Sequence, residues 1–86
     1  MRNYIVVLES NNDIDTTKVV DTVSTLFMTD RVIQRNILHL PRRNKYKNKI
    51  DLIVESKGAT TEYQQKRQEY ILEELLNINK ATISEY

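Results

Sequence analysis

The sequence predicts an α+β fold built on one antiparallel sheet, and three features predict it. Strand-length runs rich in β-branched and apolar residues occur at four places, two intervening segments repeat apolar residues at helical spacing, and polar turn clusters separate them. The first run, NYIVVLE from Asn3, ends in the turn SNND. Asp15 then precedes TTKVVDTVSTLFM, in which Val19, Val20, Val23, Leu26 and Phe27 share a helical face, and Asp15 is placed to accept the first-turn amides. This predicts a helix over 16–28. Its many β-branched residues make it intrinsically poor, so packing must hold it.

RVIQRNILHL (31–40) and KIDLIVES (49–56) read as the second and third strands, the latter with Ile50, Leu52 and Val54 on one face against Asp51, Ile53 and Glu55. Between them PRRNKYKN reads as a hairpin loop: Pro41 cannot donate to a sheet, and Asn44 and Asn48 best tolerate positive φ. Gly58 ends the third strand, and Thr60 or Thr61 caps a second helix, TEYQQKRQEYILEELLNI, with Ile71, Leu72, Leu75, Leu76 and Ile78 as its apolar stripe. KATISEY, from Lys80, reads as the fourth strand. Short connections and right-handed crossovers turn the order βαββαβ into a ferredoxin-like split sandwich, a four-stranded antiparallel sheet with two helices on one face, as a single domain over residues 1–86. The most apolar runs, IVVL and IDLIV, then belong to the inner strands, one and three.

Composition bounds the function. Hydrophobic content of 40% with 29% charged residues is ordinary for a globular protein, and no apolar run approaches the roughly 18 residues a membrane span needs. The start MRNYIVVLESNND lacks a small-residue cleavage site, which predicts a cytoplasmic protein. No cysteine is present, and a lone His39 cannot build a histidine cluster, so no cofactor, no metal site and no catalytic residue is expected. His39 lacks a neighbouring nucleophile motif and reads as structural or exposed. Glu9, Asp13 and Asp15 match no calcium-loop spacing; Asp15 reads as a helix cap instead. The wealth of Asn, Lys and Ile suggests an AT-rich genome, such as that of a phage or mobile element.

Charge is the sequence's main functional signal. Residues 31–49 hold Arg31, Arg35, Arg42, Arg43, Lys45, Lys47 and Lys49 and no acid, a local sum of +7, whereas the remaining residues sum to −6, so the net +1 hides a bipolar chain. Arg43, Lys45, Lys47 and Lys49 are spaced by two, and an extended backbone would align them as a comb suited to phosphates, with Tyr46 available to stack on an unpaired base. The expected function is therefore a non-enzymatic binding protein whose basic hairpin, through Arg35, Arg42, Arg43, Lys45, Tyr46, Lys47 and Lys49, engages nucleic acid. The competing explanation is a solvated tip whose Lys and Arg guard an edge strand, or whose charge is absorbed by Glu9, Asp13 and Asp15 at the same end.

The alternative function is a small protein-binding inhibitor or adaptor. Tyr63, Arg67 and Tyr70 recur at spacings of four and three on the second helix, residue types common at interfaces, although the tyrosines could instead flank the core. An acidic protein surface would be a fitting partner for the hairpin, and a homodimer could form by edge-strand addition of ATISEY. The strand order resembles that of RNA-recognition-motif domains, with Tyr4 in the place of their first-strand aromatic, but KIDLIVES carries none of their third-strand aromatics. It is also similar to heavy-metal chaperones without their cysteines, acylphosphatases without their glycine-rich loop, and small Cas2-type nucleases with Glu9 and Ser10 where an Asp is expected. The sequence is assigned to none of them.

Overall fold

The computed structural model describes residues 2–39, 45–56, 58 and 60–86, with positions 34–39 given by their backbone alone. The elements follow in the order β1 (Arg2–Ser10), α1 (Thr16–Phe27), β2 (Val32–His39), β3 (Asn48–Ser56), α2 (Glu62–Leu76) and β4 (Lys80–Glu85). The fold is α+β, an open four-stranded antiparallel sheet with two helices. Its strand order is β2-β3-β1-β4, so the two most apolar runs are indeed the inner strands and β2 and β4 the edges.

Alternation along the inner strands defines the core face. Tyr4, Val6 and Leu8 of β1 and Ile50, Leu52 and Val54 of β3 are buried together with Val19, Val23 and Phe27 of α1, Leu72 of α2, and Ala81 and Ile83 of β4. Tyr4 lies within this core, 6.1 Å from the Phe27 ring, and its hydroxyl accepts the Thr60 N–H at 2.9 Å. It is thus a structural side chain of the core. Leu72 is the α2 side chain the core covers completely. Leu72→Ala should cost about 2–5 kcal/mol.

The helix ends explain why both helices are shorter than their apolar spacing. Asp15 accepts the Thr17 and Lys18 amides at 3.1 and 3.2 Å, and Thr61 forms a reciprocal capping box with Gln64. At the other ends Met28 (φ 54°) and Asn77 (φ 52°) are left-handed, and paired backbone bonds close each terminus: Thr29 N–H to Ser24 O with Met28 N–H to Thr25 O, and Ile78 N–H to Glu73 O with Asn77 N–H to Glu74 O. The positive-φ positions among the described residues are these two and not Asn48, which belongs to β3; Asn44 lies outside the described residues.

The two edges are shielded differently. In β2 a bulge between Gln34 and Asn36 shifts the register, so that Ile33 pairs with Ile53 and Ile37 pairs with Ile50. An inserted residue twists an edge and makes it a poorer template for another strand. Along β4 the Ala81 and Ile83 amides donate to Glu73 at 2.9 Å and Glu69 at 2.7 Å, two α2 carboxylates one helical turn apart. A carboxylate on a backbone amide makes a strong, charge-assisted bond. Two of the β4 amides that a strand added at ATISEY would use, those of Ala81 and Ile83, are therefore already engaged.

Candidate nucleic-acid interface

Strand pairing gathers three connections at one end of the sheet. Ser10 pairs with Asn48, Asn48 with His39, and Glu9 lies opposite both Lys49 and Lys80. Polar side chains tie this end together without charge. Buried Ser10 donates to the Asn79 carboxamide at 3.2 Å and accepts the Asn12 amide at 3.0 Å; Asn79 also accepts the Asn11 amide at 2.8 Å. Asn12 donates to the Asn77 carbonyl at 3.1 Å, and Asn48 donates to the Asn12 carbonyl at 2.9 Å. Each bond satisfies a turn group that the sheet leaves unpaired, so the turns have defined positions.

The cations stand around this neutral clasp. Lys45 and Lys47 are exposed and Tyr46 and Asn48 half-buried; the chain bends at Lys45 and Lys47 and becomes extended only from Asn48, where β3 begins. Lys49 belongs to β3, on the sheet face away from the helices, and Lys80 joins the same end from β4. The Lys45 ammonium lies 5.4 Å from the centroid of the Tyr46 ring, a cation–π contact. A base stacking on that ring face would have to displace Lys45. Arg42 and Arg43 lie outside the described residues, and Arg35 is given by its backbone alone.

Among the described residues no salt bridge joins these lysines to the acids of the neighbouring turn, although Glu9 lies opposite Lys49 and Lys80 in the sheet. Asp15 is engaged with the first turn of α1. Asp13 is exposed, and Glu9 is half-buried between two lysines in the sheet register. Among the described residues the ion pair within reach is Arg2–Glu85, at the opposite end of the sheet. The contact between turn and hairpin stem is the Asn48–Asn12 amide bond. Among the described residues no three His, Cys, Asp or Glu side chains gather so as to hold a metal, and no helix is long and apolar enough to cross a membrane.

The α2 residues fall into two sets. Tyr63 (75% exposed) and Tyr70 (63% exposed) with exposed Arg67 occupy the outward face and do not flank the core. The Tyr70 hydroxyl donates to the Glu74 carboxylate; that bond and the carboxylate's charge hold the phenol above its ordinary value of 10.0. Glu69, which helical spacing pairs with Lys66, and Glu73 instead reach the β4 edge. Sequence reasoning missed that role and the part of Lys80, whose link to Glu9 depends on strand pairing between distant segments.

No protein-family model matches this chain, and neither characterised proteins nor solved structures show a significant match to it.

Proposed function

We propose that this chain is a non-enzymatic cytoplasmic binding module, a ferredoxin-like split sandwich whose β2–β3 hairpin takes a polyanion, most favourably nucleic acid. The observation that carries this reading is the pair of exposed Lys45 and Lys47 beside Lys49 and Lys80, next to a neutral asparagine clasp and, among the described residues, in no salt bridge with Glu9, Asp13 or Asp15. Arg42 and Arg43 add two further cations between β2 and β3 in sequence. Uncommitted lysines near phosphates gain affinity by releasing condensed counterions, so binding weakens steeply with salt. Three of the four described cations come from one short segment and the fourth from β4, which suits contact with a backbone more than readout of a base sequence. An electrophoretic shift assay at low salt tests it: single-stranded and duplex probes should be retained, and replacing Arg42, Arg43, Lys45, Lys47 and Lys49 with Ala should abolish retention. Absent retention by the folded wild-type chain refutes the reading.

A second reading draws on the outward face of α2. Exposed Tyr63, Arg67 and Tyr70 form an aromatic and cationic strip of the kind enriched at protein interfaces. The chain would then act as an inhibitor or adaptor, encoded by a phage or mobile element, on a host protein. Stoichiometric recovery of one protein after nuclease treatment, lost in a Tyr63→Ala/Tyr70→Ala variant, would favour it.

A further inference from the structure

β1 carries apolar residues on both faces, and β3 adds one isoleucine to the face away from the helices. Antiparallel sheets with one solvated side alternate apolar and polar residues, whereas near-continuous apolar runs mark strands covered on both sides. In β1 the core takes Tyr4, Val6 and Leu8, yet the opposite face carries Ile5 and Val7; in β3 it carries Ile53. Pairing places Ile33, Ile53 and Ile5 side by side across β2, β3 and β1, with Val7 next along β1. Ile33 is 64% exposed, and a hollow of about 410 Å³ opens beside it, lined also by Asn3, Arg31, Ile53 and Glu55. Neither helix contributes to this hollow. An isoleucine row that is exposed at Ile33 and half-buried at Ile53 and Ile5, on a face without helices, is the pattern of an interface.

We propose that this face is a dimer interface between two copies of the chain. The charges on the face match it to itself. A two-fold axis parallel to the strands and between β1 and β3 exchanges those strands, so every register pair meets its own reverse. Ile5 and Ile53 form one such pair, which sets isoleucine on isoleucine. Glu9 and Lys49 form another, which sets each carboxylate against the ammonium of the second copy, with long side chains absorbing the roughly 30° crossing of packed sheets. Val7 and Asp51 are the least matched pair, but Asp51 is 8% exposed and engaged within its own chain, so the contact covers little more of its carboxylate.

Other occupants fit less well. Beyond the lysines at its hairpin end, this side of the inner strands carries Asp51 and Glu55, which disfavours a polyanion over the isoleucines, and it bears no inner-strand aromatic on which a base could stack. Association through β4 requires displacing Glu69 and Glu73. Four strands at about 4.8 Å and about six residues at 3.4 Å give roughly 400 Å² of flat area per copy, about 800 Å² for the pair and below the size of a tight interface, so the association is a weak one. The dimer should therefore be concentration-dependent. The axis keeps both hairpin ends on the same side, so a dimer presents the two sets of lysines together and binds a long polyanion with avidity.

Sedimentation equilibrium over about 1–500 μM, in the absence of nucleic acid, tests the proposal against the usual range of weak interfaces. The wild type should pass from monomer to twice the monomer mass. Ile33→Glu, at a side chain outside the core, and Ile53→Glu should each weaken dimerisation by at least about 100-fold, with unchanged circular dichroism. Glu9→Lys and Lys49→Glu should each stay monomeric, and a mixture of the two should recover the dimer, because each copy then faces charges opposite to its own. Only contact between chains predicts that recovery; a purely internal Glu9–Lys49 role does not. A wild type monomeric throughout, a dimer indifferent to Ile33→Glu and Ile53→Glu, or a mixture that stays monomeric would overturn the proposal. So would capture of a different protein by this face while the pure chain remains a monomer.

Discussion

The β4 edge and the hairpin end handle charge in opposite ways. At β4, Glu69 and Glu73 turn toward the sheet and accept the Ile83 and Ala81 amides; elsewhere Asp15 accepts the amides of α1 and Glu85 meets Arg2. At the hairpin end, Lys45 and Lys47 face solvent while the turns around them are joined by Ser10, Asn12, Asn48 and Asn79. A net charge of +1 therefore says little about what a partner meets. Much of the negative charge already serves the protein's own N–H donors. The positive charge of the hairpin stem does not.

The largest effect should come from opening the shielded edge. Glu69→Ala with Glu73→Ala removes two charge-assisted bonds from partly buried amides and should lower unfolding stability by about 2–5 kcal/mol in urea. The same variant should associate through the freed β4 edge, which light scattering would register. The Gln pair keeps neutral acceptors and should recover a large part of the loss. If the Ala pair stays within about 0.5 kcal/mol of wild type, the carboxylates are ornaments of the edge and the contrast with the hairpin disappears.

Two substitutions sharpen the contrast between engaged and free acids. Asp15→Ala should cost about 1 kcal/mol as a lost helix cap, while Asp13→Ala, at an exposed neighbour, should stay within about 0.5 kcal/mol. Met28→Gly should add up to about 1 kcal/mol, because Met28 holds a left-handed conformation with its side chain 84% exposed and no packing to lose. Chemical denaturation of the three variants measures all of these.

The smallest effect concerns Tyr70, whose phenol donates a hydrogen bond to Glu74 on the exposed face. Its raised phenol value means the folded state favours the neutral form; the small stabilisation is complete below the ordinary value of 10.0 and is lost as pH rises through the folded value. Ultraviolet difference titration should show one tyrosine ionising later than the exposed others, and Glu74→Ala should remove that delay. A Tyr70 that titrates with the rest in the wild type would break the Tyr70–Glu74 link.

Local patterns made most of the fold legible. Asp15 and Thr61 stand immediately before apolar helical repeats, and the paired strands are dense in Val and Ile, so every element was readable to within a few residues. What escaped depends on long-range geometry or on backbone energetics. Glu69 and Glu73 look like ordinary helix-surface acids until β4 is laid beside α2, and the bulge in β2 shows no glycine. Met28 is left-handed without being a residue that favours it, because the closing backbone bonds of α1 require that turn. At the candidate site, charge clustering was visible in HLPRRNKYKNKI, but the asparagine clasp and the arrival of Lys80 needed three separate chain segments to meet.

The most direct test of the uncommitted hairpin lysines is the salt dependence of binding, by fluorescence anisotropy with a labelled single-stranded oligonucleotide, for wild type and Lys45→Ala/Lys47→Ala. Log affinity should fall linearly with log salt for the wild type, and the variant should bind more weakly with a slope shallower by about 1.4, near 0.7 for each phosphate contact removed. No binding by the wild type at about 20 mM salt, or identical slopes for the two proteins, would contradict the assignment of these lysines to a polyanion.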